Sequence, residues 1–114
     1  MSVHTQEINE SFIIVVDGEL DQTATQLLDA AIQQAVAAHQ QSIWVDCAGL
    51  RSICTSALRL ILAHLSTLHE RGTSLVLYHV ESTIRSRLED SGLTSLLTIV
   101  PTIKEAYLLG KHQH

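Results

Sequence analysis

Apolar residues gather in short runs centred near Ile14, Trp44, Val76 and Ile99, and between these runs they recur at helical spacing. Strand-like runs alternating with helices are the pattern of βαβ units around a partly parallel sheet. Near the start, Thr5–Ile8 and Phe12–Val16 are separated by Asn9-Glu10-Ser11, turn-forming residues that predict a hairpin and so one antiparallel pair. The expected fold class is α/β, a small mixed β-sheet covered by helices.

Between Gln22 and His39, the residues Leu28, Ala31, Ile32, Ala35 and Val36 follow the i, i+3, i+4 rule, with Gln26, Asp29, Gln33 and Gln34 largely opposite, which predicts an amphipathic helix. Ile43–Val45 reads as a buried strand that ends at Asp46 before a loop, Cys47–Cys54. A second helix is expected from about Thr55 to Arg71, with Leu58, Ile61, Leu62, Leu65 and Leu68 as its stripe and Gly72 as its stop. Ser74–Tyr78 is the next strand. Ser82 is expected to cap a short helix that runs through Asp90 and ends at Ser91-Gly92. Leu96–Val100 reads as an edge strand or extended segment, and Pro101 permits a last helix from Thr102 to Leu109. The crossovers from Val16 to Ile43 and from Val45 to Leu75 are expected to be right-handed. The predicted core holds Leu28, Ile32, Val45, Leu58, Ile61, Leu62, Leu65 and Val76.

Length and composition narrow the class. The chain has 114 residues, 46% hydrophobic and 17% charged, which is globular composition for a single domain over 1–114, with short flexible ends expected at about 1–4 and 110–114. The longest uninterrupted aliphatic-aromatic run, Phe12-Ile13-Ile14-Val15-Val16, is far below the ~18 residues of a membrane span. The opening MSVHTQEINE has neither a basic nor an apolar signal region, so a cytoplasmic location without membrane insertion is expected. A net charge of −5 repels a phosphate backbone, and Arg85 and Arg87 fit a solvated helix face better than a patch for direct nucleic-acid contact. Cys47 and Cys54, seven apart, match neither a CxxC pair nor half a zinc site and are expected as reduced thiols. His64 and His69 fall on different faces of a helix, and His112 and His114 read as a polar tail, so no metal site is expected.

The five glycines, at 18, 49, 72, 92 and 110, allow neither a GxGxxG nor a Walker A loop, so no cofactor is expected. Asp46, just after a buried strand, suits satisfying loop amides, with acid/base work as the alternative. Ser56, His64 and Asp46 form a triad only on paper, without a nucleophile elbow or oxyanion loop, and an autonomous small hydrolase is disfavoured. The junction Ser52-Ile53-Cys54-Thr55-Ser56-Ala57-Leu58 is more informative, because hydroxyls cluster where a helix begins. Thr55 or Ser52 suits helix capping, worth about 1 kcal/mol. Ser56, exposed in the first turn, could take a phosphoryl group facing the positive end of the helix dipole.

Asp17-Gly18-Glu19-Leu20-Asp21, the strand ending at Asp46, Ile53-Cys54-Thr55-Ser56-Ala57-Leu58, and Ser91-Gly92-Leu93 with Glu105-Ala106 resemble, in order, a STAS domain, nearest to the bacterial anti-sigma factor antagonists. The resemblance runs from about Ser11 to Leu109. It implies a protein that is not an enzyme and binds an anti-sigma factor serine kinase, which holds the ATP and magnesium. The unphosphorylated form would release a sigma factor. The residue it marks for phosphorylation is Ser56, and it places Asp21, Asp46 with the loop after it, Cys54, Thr55, Ser56 and Ala57 at the partner surface. Cys54 stands where the family has an acidic residue, Thr55 where it has the first serine, and Ala57 where it has glycine. An alternative from the same resemblance is a small cytosolic STAS subunit that packs on the ATPase of a lipid-transporting ABC system.

Overall fold

A computed structural model describes residues 2–8, 11–92 and 97–100. Five strands, β1 (Ser2–Ile8), β2 (Ser11–Leu20), β3 (Ser42–Ile53), β4 (Ser74–Tyr78) and β5 (Thr98–Val100), form one sheet in chain order. Three helices, α1 (Gln22–Ala37), α2 (Thr55–Glu70) and α3 (Ser82–Asp90), connect them. β1 and β2 are antiparallel, and every later neighbour is parallel, so the sheet is mixed as expected. Residues 2–4, expected as a loose end, are paired into β1. The expected helix Thr102–Leu109 and the tail 110–114 lie outside the described residues.

Alternation along the strands sorts side chains between two faces. Phe12, Ile14 and Val16 of β2, Ile43, Val45 and Cys47 of β3, and Leu75 and Leu77 of β4 point to one face, where Leu28 of α1, Ile61 of α2 and Ile84 and Leu88 of α3 join them in one buried cluster. All three helices therefore cover the same face. Ile13, Trp44, Val76 and Tyr78 form a second buried cluster on the other face, so Val76 is core, but of the smaller one.

The predicted loop Cys47–Cys54 is a correction, because β3 continues to Ile53 beside β2. β3 has 12 residues against 10 in β2, and the two extra residues are absorbed at register shifts between Val15 and Asp17 and between Gly18 and Glu19. Each bulge flips the alternation once. Burial therefore falls on Cys47, Leu50 and Ile53, a spacing of three that does not read as a strand. Gly49 sits opposite Asp17 at the first bulge. A Cβ at Gly49 would lie 2.9 Å from Asp17 Cγ, overlapping that carboxyl group.

Two further expectations change. Leu62 is 45% exposed and not core, because helical rotation puts it at the rim of a stripe made by Ala57, Leu58, Ile61, Leu65 and Leu68. Ser82 is the first residue of α3, and Glu81, in extended conformation, is its N-cap. The helix ends follow the sequence more closely. Gly72 and Gly92, both with positive φ, follow the last turns of α2 and α3. His39 takes the same left-handed position after α1, where a non-glycine residue is uncommon.

Candidate functional site

β2 and β3 finish side by side, Leu20 opposite Ile53, so the helices that follow them start as neighbours. The Cys54 amide donates to the Leu20 carbonyl at 3.0 Å, which ties the start of α2 to the end of β2. Asp21 is the N-cap of α1, and its Oδ1 accepts the Ala24 N–H at 2.9 Å. Asp21 itself remains exposed. Thr25, one turn into α1 and 8% exposed, donates its hydroxyl to the Asp21 carbonyl at 2.7 Å and touches the Cys54 sulfur at 3.6 Å. The two helix starts are thus joined through Asp21, Thr25 and Cys54.

Cys54, half-buried, is the N-cap of α2, which corrects the expectation that Thr55 or Ser52 caps this helix. Ser52 lies on β3, and Thr55 is the first helical residue. The Cys54 sulfur makes no cap hydrogen bond, yet the first-turn amides act on its charge. Burial acts to raise the Cys54 thiol pKa. The Ala57 amide, the Thr25 hydroxyl and the amides of Ser56 and Cys54 outweigh it, and the thiol is held below its ordinary value.

Thr55 and Ser56 are exposed, and Ser56 lies on the side of α2 opposite its buried stripe. Ala57 is fully buried, so its side chain serves the core and is closed to a partner. The structure therefore gathers Asp21, Cys54, Thr55 and Ser56 at one end of the sheet, with Ala57 beneath them.

Asp46 is elsewhere. It shares a cross-strand row with Val15 and Tyr78, on the sheet face turned away from α1 and α2. Its Oδ1 accepts the Ala48 N–H at 3.0 Å within the bulge and meets His79 Nδ1 at 3.4 Å. His79 holds a left-handed conformation at the end of β4. Satisfying a backbone amide is the structural role expected of Asp46, although in a bulged strand and not in a loop.

His64 turns to Asp29 of α1 at 2.7 Å, so Ser56, His64 and Asp46 do not meet and no triad is assembled. The Asp29 pKa is lowered, first by its hydrogen bond with His64 and then by that with Gln33. Cys47 is buried beneath the sheet, where desolvation, with Asp46 adding to it, pushes its thiol up to about 12. Cys47 and Cys54 are both free thiols. No three His, Cys, Asp or Glu residues are grouped to hold a metal among the described residues, and none of the described helices is long and apolar enough to cross a membrane.

Thr25 is the site residue that sequence reading missed. The available signal was a hydroxyl, four residues after an N-cap aspartate, at a position helical spacing assigns to the buried side.

The STAS domain family model matches residues 2–106. No curated protein matches the sequence. The chain is similar to the solved structure of the anti-sigma factor antagonist SpoIIAA in its unphosphorylated form, with a TM-score of 0.83 and 21% identity over 97% of each chain. An anti-sigma factor antagonist from Mycobacterium paratuberculosis has a TM-score of 0.84 and 18% identity, over 95% of this chain and 92% of that one. The Bacillus cell fate determinant SpoIIAA in its phosphorylated form has a TM-score of 0.73 and 23% identity, over 93% of this chain and 96% of that one. At these identities the likeness shows a shared fold.

Proposed function

This chain belongs to the STAS domain family, and we propose that it acts as an anti-sigma factor antagonist, a protein-binding module switched by phosphorylation at Ser56. Its partner is an anti-sigma factor serine kinase, which supplies the ATP and magnesium. The unphosphorylated chain binds that kinase and frees a sigma factor, and a phosphoryl group on Ser56 weakens the complex.

The observation that carries this reading is the placement of Ser56, an exposed hydroxyl in the first turn of α2, beside the start of α1. A group added there projects from the fold and requires no core residue to move. Phosphate brings about −1.5 to −2 charges and three acceptor oxygens, which a helix start tolerates and a partner surface shaped for a hydroxyl does not. Asp21, Cys54 and Thr55 border Ser56 and form the rest of the contact surface. Asp46 reaches a partner only if the partner also wraps the opposite sheet face.

Affinity capture from the source cells, followed by incubation of the captured partner with labelled ATP, tests the reading. A captured ATPase of the anti-sigma type that adds one phosphoryl group to the chain, and none to Ser56→Ala, is the expected result. Capture of transporter subunits alone overturns it in favour of an ABC-associated STAS subunit.

A further inference from the structure

The start of α2 carries no carboxylate. Its N-cap, Cys54, makes no cap hydrogen bond, and its first turn holds no acidic residue. Helix starts favour negative charge, since the first N–H groups lack intrahelical acceptors. The one Lys or Arg on α2 is Arg59, three residues after Ser56 and exposed. Residues three apart in a helix are surface neighbours. The Arg59 side chain has no hydrogen bond or ion pair among the described residues, and the one acidic residue of α2 is Glu70, at its other end. Asp21, at the start of α1, has its carboxylate engaged by the Ala24 N–H.

We propose that Arg59 is the internal counter-ion for a phosphoryl group on Ser56, so that the modified helix holds its own phosphate. The inference rests on Ser56 being the modified residue. Phosphate arrives by transfer from a nucleoside triphosphate on the partner. The Ser56 Oγ–P bond forms, the bond from the terminal phosphorus to the departing nucleoside diphosphate breaks, and the Ser56 proton is released. The planar guanidinium then offers paired N–H donors to two phosphate oxygens, a geometry lysine cannot copy. Phosphorylation in this arrangement changes the α2 face twice, adding a dianion at Ser56 and withdrawing the free cation at Arg59 from any partner.

Phosphoserine installed at position 56 during translation tests the clamp without a kinase, so its result is independent of whether the proposed partner exists. The phosphorus resonance is followed through its second ionisation, near pH 6, in the wild-type, Arg59→Gln and Arg59→Lys chains. The wild-type midpoint is expected to lie about 0.3–0.6 pH units below that of Arg59→Gln, with Arg59→Lys between them, and the gap to narrow in ~0.5 M salt. Equal midpoints in the wild-type and Arg59→Gln chains overturn the proposal. If the gap is present but the captured kinase leaves Ser56 of the unmodified chain unlabelled, the switching function fails while the clamp stands.

Discussion

The Asp29 carboxylate and the His64 imidazole meet at 2.7 Å across the α1–α2 contact, joining the bodies of the two helices whose starts form the candidate site. The pair is partly exposed, with side-chain exposures of 35% for Asp29 and 18% for His64. Its consequence is clearest in acid. The Asp29 pKa is held below its ordinary 3.8 in the folded chain. The stability it contributes is fully present above that value and is lost as pH falls through the lower, folded-state value. Urea midpoints measured from about pH 6 down to pH 2 are expected to fall more steeply for wild type than for Asp29→Asn. Parallel curves would show that the pair adds no acid-sensitive stability.

Neighbouring leucines on α2 separate core from rim. Leu65 is 3% exposed and packs into the main cluster, whereas Leu62 is 45% exposed. Leu65→Ala is expected to cost about 2–5 kcal/mol by leaving a cavity. Leu62→Ala is expected to cost about 1 kcal/mol or less. Chemical denaturation of the two variants checks the ordering, and equal losses would place Leu62 in the core after all.

Gly49→Ala puts a methyl group against the Asp17 carboxyl group in the first bulge. Relief requires the β2 or β3 backbone or the Asp17 side chain to move, with an expected loss of about 1–3 kcal/mol. Gly49→Ala in an Asp17→Ala background is expected to recover part of that loss, and denaturation of both variants measures it.

The two thiols are expected to differ in chemistry. Cys54 is half-buried with its pKa lowered, and Cys47 is buried with its pKa pushed up to about 12. At neutral pH an aromatic disulfide reagent should label Cys54 in the native chain and reach Cys47 only after unfolding. Reductant alone should leave the thermal midpoint unchanged, since neither thiol is in a disulfide.

At the helix start, Ser56→Asp is expected to keep the helix content and stability of wild type while binding the proposed kinase partner less tightly. Thr55→Ala is expected to remain a phosphorylation substrate, because the proposed acceptor is Ser56. Circular dichroism and titration of the captured kinase read the two effects separately, and labelling that follows Thr55 would reassign the acceptor.

Much of this architecture is legible in the sequence because it depends on local periodicity. Leu28, Ala31, Ile32 and Ala35 of α1 and Leu58, Ile61 and Leu65 of α2 repeat at helical spacing and are buried. The apolar run Phe12–Val16 was legible as a strand and lies within β2. The exposed position of Ser56 in the first turn of α2 was legible as well.

Tertiary structure alone decided the rest. The second half of β3 is a strand because β2 runs beside it and supplies hydrogen-bond partners, and its two bulges erase the alternation by which a strand is recognised. Leu62 lies at the boundary of its stripe, where the extent of the neighbouring layer decides burial and residue type does not. Cys54 took the cap from Thr55 because a backbone bond to Leu20 sets where α2 begins. Thr25 reaches Cys54, 29 positions along the chain, and Asp46 is parted from Ser56 by the sheet itself. A sequence records which groups are available and how they repeat along the chain, whereas their meeting across strands and helices depends on register and packing, which become defined only when the chain closes on itself.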